Sequence, residues 1–78
     1  MFDEQKVKEV MAAVLEIETT EINENSSMDN VKQWDSLHHM NMVLALEEAF
    51  SVSIPDEDAA NATSYRLIVL VLGELLGA

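Results

Sequence analysis

Leu67-Ile68-Val69-Leu70-Val71-Leu72 is an unbroken apolar run rich in β-branched residues, a pattern that suits a buried strand as well as a helix. No other segment reads as a strand that would pair with it, and a lone strand is not stable. The run is therefore expected to be helical, capped by Thr63 or Ser64, continuing to about Leu76 and stopping at Gly77. Its apolar surface extends further round than burial on one face requires. The excess is expected to wall an internal pocket or to offer a patch to a partner.

Working outward, Ile54-Pro55 blocks helix, because proline biases the residue before it toward extended structure. Asp56 to Asn61, with acidic residues at its start, reads as a short helix. Before it, Leu37, Met40, Val43, Leu44 and the run from Ala45 to Phe50 form a longer helix ending near Ser51. Asp35 is its expected N-cap, which puts Ser36 in the first turn with its side chain in solvent. Unpaired N–H groups and a partial positive charge at that helix start would stabilise a phosphate on the Ser36 hydroxyl.

At the other end of the chain Asp3 is a plausible cap, with Phe2 and Val7 placed to form a hydrophobic staple. Val7, Val10, Met11, Val14 and Leu15 recur at helical spacing and predict a helix from about Glu4 to Ile17. From Glu18 to Gln33 the sequence is polar, with Asn23, Asn25, Ser26, Ser27 and Asn30 as turn formers and Ile22, Met28 and Val31 as apolar anchors. A connection of that length has a function or must span the fold. Trp34 is expected to anchor its end on the core. The fold class is all-α: four helices with a short third and a long loop between the first and second, in one domain over residues 1–78.

A chain of 78 residues leaves little room for a deep enzyme cleft, and aromatics at 5% leave the core to Leu, Val, Ile, Met and Ala. The formal net charge is −11, which disfavours nucleic acid and anionic membranes and favours basic protein surfaces. There is no cysteine, so any thioester chemistry needs sulfur brought in from outside. The start lacks the features of a signal or transit peptide, and the longest apolar run is far short of the roughly 20 residues that span a bilayer. A soluble cytoplasmic protein, with no membrane insertion, is expected.

Catalytic and metal readings find little support. The acidic loop has no Asp-x-Asp-x-Asp-Gly pattern for calcium, and no Gly-x-Ser-x-Gly elbow surrounds Ser36. His39 shares a face with Ser36 but has no cleft to work in, and His38 and His39 point about 100° apart, which disfavours a shared metal ion.

Asp35-Ser36-Leu37, followed by Val43-Leu44-Ala45-Leu46-Glu47-Glu48, Phe50, Ile54-Pro55-Asp56-Glu57 and Thr63, resembles an acyl carrier protein, the small acidic carrier of fatty-acid and polyketide synthesis. The resemblance covers nearly the whole chain and is dense from Asp35 to Thr63. It implies a non-enzymatic monomer with 4′-phosphopantetheine, drawn from coenzyme A, attached to Ser36 between Asp35 and Leu37. It also implies two kinds of partner: a phosphopantetheinyl transferase, and acyl-transferring or acyl-activating enzymes with basic docking surfaces. Glu47, Glu48, Asp56, Glu57 and Leu44 are the expected docking residues. Carboxylates without partners are almost never placed in a core, so that face is available.

The sequence departs from the family pattern at Gln33 and Trp34, where glycine is usual close before the serine, and at His38 and Asn41, where acidic residues are common. The face near Ser36 is thereby less negative, which points to a specialised pathway and an acyl or amino-acyl cargo. The alternative is an unmodified acidic adaptor for a basic partner.

Overall fold

The run that suited strand or helix is α-helix, because Ser64 turns its hydroxyl oxygen to accept from the Leu67 N–H and starts a helical turn there. A computed structural model describes residues 3–77. Four helices follow in order: α1 (Glu4–Leu15), α2 (Ser36–Phe50), α3 (Asp56–Asn61) and α4 (Tyr65–Leu75). No strand occurs among the described residues, where Ser27 and Ser64 form an isolated bridge. The expected all-α fold with a short third helix is the fold observed.

Helical spacing decides which side chains meet. Val7, Met11 and Leu15 of α1, Met42 and Leu46 of α2, and Tyr65, Ile68 and Leu72 of α4 form the core. Ile22 and Trp34 enter it from the long loop, and Ile54 and Ala62 from either side of α3. Burying an aliphatic side chain contributes about 1.5–3 kcal/mol, and Trp34, at 2% exposed, is the largest side chain so buried. The Tyr65 phenol donates to Glu4 Oε1 at 3.0 Å and pins α4 to α1. Burial, reinforced by that carboxylate, pushes the phenol up to about 12.

Two helices end on left-handed residues other than glycine, the second where expected and the first earlier. α1 stops at Leu15, not Ile17, because Glu16 takes a left-handed conformation (φ 59°) and the Glu16 and Ile17 amides both turn back to the Ala12 carbonyl. Ser51 ends α2 in the same way (φ 55°), with the Ser51 and Val52 amides donating to Glu47 O. α4 closes as expected, the chain turning left-handed at Gly77. Phe2 of the expected staple lies outside the described residues; Val7, its intended partner, is fully buried.

The long loop is held by its own short polar side chains. A 3-10 turn over Thr19–Glu21, not foreseen from the sequence, is closed by the Glu18 N–H donating to Glu21 Oε2. Asn23, Ser26, Ser27 and Asn30 then bond neighbouring backbone groups. Met28 N–H donates to Thr63 O and Tyr65 N–H to Ser26 O, so the loop is tied to the start of α4 before it reaches α2. Its length therefore serves to span the fold. On α4, Leu67 and Leu70 remain 40% and 57% exposed, so the excess apolar surface faces outward as a patch.

Candidate functional site

Ser36 is the first residue of α2, and the geometry around it follows from the residue before it. Asp35 caps the helix, its Oδ1 accepting from the His38 N–H at 2.9 Å and lying 2.8 Å from His38 Nδ1. The His38 N–H, and then its ring, hold the Asp35 carboxyl below its ordinary value of 3.8. Asp35 is thus ionised near neutral pH. Ser36 itself is exposed, and its hydroxyl has no hydrogen bond within the chain among the described residues.

From Leu37 an apolar ridge runs along α2, with Leu37 and Met40 each 66% exposed and Leu44 61%. These positions recur at helical spacing on one side of the helix. Beside the ridge lies a cavity of about 210 Å³ between α2 and α3, lined by Met40, Val43, Leu44, Glu47, Ile54, Asp56 and Ala59. Asp56 and Glu57 are exposed on α3 beside it, whereas Glu48 is exposed on the flank of α2 that faces α1, in a groove with Val10, Ala13, Val14, Ala45 and Ala49. Glu47 stands differently: it is half-buried, and its Oε2 accepts the Ile54 N–H at 2.7 Å. Of the expected docking residues, Leu44, Glu47 and Asp56 are thus brought to one cavity, Glu48 and Glu57 lie in solvent, and Glu47 also braces the α2–α3 connection.

Among the described residues no hydrogen bond joins the Ser36 hydroxyl to either neighbouring histidine. His38 Nδ1 faces Asp35, and both ring nitrogens of His39 are engaged, Nδ1 by the Trp34 indole N–H at 3.0 Å and Nε2 by the Ala59 carbonyl at 2.8 Å. Sequence reasoning placed Trp34 in the core but missed this relay and the Glu47–Ile54 bond. The signal for the relay was Trp34 and His39 flanking a capped helix start; its third member, Ala59, is visible only once α3 is docked. No group of three or more His, Cys, Asp or Glu side chains suited to a metal occurs among the described residues.

An arm joined through phosphate fits what is present. The chain offers an accessible, unbonded hydroxyl at the first position of a long helix, where first-turn N–H groups and the helix dipole favour a phosphate. The family described as "phosphopantetheine attachment site" matches residues 5–72. That match takes in the loop, the cap, the ridge and all four helices almost to the end of α4. The chain belongs to this family of acyl-carrier-like proteins, which bear a covalently attached 4′-phosphopantetheine group.

Proposed function

We propose that Ser36 is the attachment point, and that residues 1–78 work as a single, non-catalytic carrier domain in the cytoplasm, presenting acyl or amino-acyl groups to partner enzymes. The observation that carries this reading is the exposed, unbonded Ser36 hydroxyl at the start of α2, inside the matched span. When attached, the arm supplies the thiol that holds such a group as a thioester, which a chain without cysteine cannot supply itself. Asp35 fixes the helix start through the His38 N–H and so fixes where the Ser36 oxygen stands. A phosphopantetheinyl transferase supplies the base and magnesium: Ser36 Oγ attacks the phosphate that bears the pantetheine arm of coenzyme A, the base takes the hydroxyl proton, and the phosphoanhydride breaks to release the adenosine bisphosphate half.

Partner enzymes meet the α2–α3 face. Leu37, Met40 and Leu44 offer apolar contact there, while Asp56 and Glu57 on α3, and Glu48 across the ridge on α2, offer charge to a basic surface. His38 and Asn41 leave the Ser36 end of that face less acidic, which supports a specialised pathway over general fatty-acid synthesis. The test is the intact mass of the chain after incubation with coenzyme A, magnesium and a broad-specificity transferase. A gain of one phosphopantetheinyl group is expected for wild type and none for Ser36→Ala, whose circular dichroism stays that of wild type. Modification of the alanine variant would move the site elsewhere, and no gain in wild type would return the chain to an unmodified adaptor.

A further inference from the structure

Trp34, His39 and Ala59 are joined so that the imidazole has one permitted protonation state. A carbonyl oxygen only accepts, so the 2.8 Å contact to Ala59 O puts a proton on His39 Nε2. The Trp34 Nε1–H donates to Nδ1 at 3.0 Å, so Nδ1 must offer its lone pair. The ring is neutral in this arrangement.

The indole and imidazole planes are 24° apart and their centroids 6.0 Å apart. With the two nitrogens at 3.0 Å, such rings meet edge to edge rather than face to face. An imidazolium would then face the positive N–H edge of the indole, with no π-face to stabilise it. Two N–H groups would point at each other inside a site where Trp34 is 2% exposed.

The relay also joins three parts of the fold. Trp34 ends the long loop, His39 lies in α2, and Ala59 lies in α3 and lines the cavity. α3 has no side-chain cap and contributes no fully buried residue, and the Ala59 carbonyl bonds it to α2 through His39.

We infer that His39 is a positioning residue that holds Trp34 to α2 only while its ring is neutral: a proton taken from solvent onto Nδ1 releases the indole and loosens the end of the long loop, while Nε2–H keeps its bond to the Ala59 carbonyl. The inference stands whether or not Ser36 carries the arm. The charged groups of the surrounding segments are Lys32 in the loop, Asp35 and His38 at the head of α2, and Asp56, Glu57 and Asp58 in α3. Among the described residues none of them pairs with the His39 ring; His38 and Asp35 pair with each other.

Trp34 is the chain's single tryptophan, so its indole N–H resonance reports on the relay without labelling a chosen site. The measurement is that resonance in the full chain between about pH 7.5 and about pH 5, where histidine titrates. A one-proton titration of the indole shift is expected in wild type, lost in His39→Gln and kept in His38→Asn. The wild-type imidazole nitrogens give a second reading that needs no variant, with Nε2 protonated and Nδ1 bare at the upper end of the range. An indole signal flat with pH, a titration that survives His39→Gln or vanishes in His38→Asn, or a proton on Nδ1 in the neutral ring overturns the inference.

Discussion

Asp35 and Glu47 are both carboxylates at the edge of the site, and what each accepts decides what it can do. Asp35 takes the His38 N–H and faces the His38 ring, which depresses its folded value below 3.8. A depressed folded value means that the contribution of the cap is complete above the unfolded value and disappears as the pH falls through the lower folded one. A carboxyl-carbon titration of Asp35 by NMR is expected to give a midpoint below 3.8, and His38→Gln to raise it only part of the way, since the backbone N–H is the larger cause. A midpoint at or above 3.8 in wild type would contradict the cap geometry. Glu47 takes the half-buried Ile54 N–H, so Glu47→Ala is expected to cost on the order of 1 kcal/mol and to lower the melting temperature by several degrees. Glu48 makes no such bond. At about 150 mM salt, where self-repulsion is largely screened, Glu48→Lys should therefore leave the melting curve near wild type while slowing modification by a transferase, whereas Glu47→Lys should disturb both. Equal melting losses in the two variants would show that the Ile54 bond does not stabilise the fold.

At the scale of the helices, two ends are made by residues poorly suited to them. Glu16 and Ser51 hold left-handed conformations that glycine adopts at no steric cost, while an L side chain costs roughly 1 kcal/mol. Ser51→Gly is expected to raise stability by up to about 1 kcal/mol and the melting temperature by a few degrees, read by thermal circular dichroism. A lowered melting temperature would mean that the Ser51 side chain contributes more than its backbone strain costs. The first of these ends also marks where the sequence stopped being legible, whereas the end of α2 near Ser51 was foreseen. The start of α2 was readable because Asp35 and Leu37 act locally, as was the break at Ile54-Pro55, and Gly77 signalled the end of α4. The end of α1 was not, because no glycine marks Glu16 and the apolar period continues to Ile17. The inside of the loop was equally hidden, since bonds such as Met28 to Thr63 join residues far apart in sequence. The exposure of Ser36 at a helix start, and that of Glu48, Asp56 and Glu57, could be read from local pattern. The second role of Glu47 requires the chain reversal at Ser51, which brings Ile54 back to α2.

Over the whole molecule the net charge of −11 has little local compensation. All four cations lie outside the span from Gln33 to Tyr65, which holds Asp35, Glu47, Glu48, Asp56, Glu57 and Asp58. Lys6 sits 4.9 Å from the centre of the Phe50 ring and Lys8 5.6 Å from that of Tyr65, so both cover aromatic faces. No lysine or arginine forms an ion pair among the described residues. Repulsion within the fold and attraction to a basic partner therefore arise from the same charges, and salt should act on the two in opposite directions. Raising ionic strength from about 10 mM to about 150 mM shortens the Debye length from about 30 Å to about 8 Å. The melting temperature is expected to rise by on the order of a few degrees as self-repulsion is screened, while the rate of modification by a transferase falls several-fold as steering is lost. Location within the charge is tested by reversing Glu48 and Glu57 to lysine, against reversing Glu9 and Glu24. The second pair is exposed, makes no hydrogen bond or ion pair among the described residues, and lies outside the α2–α3 face. Both double variants change the net charge equally and should raise the low-salt melting temperature alike. Only the first should slow modification and flatten its salt dependence, because only there would the reversed charges meet a basic partner. Equal slowing in the two would mean that bulk charge alone guides the encounter, and that partners do not dock on the α2–α3 face.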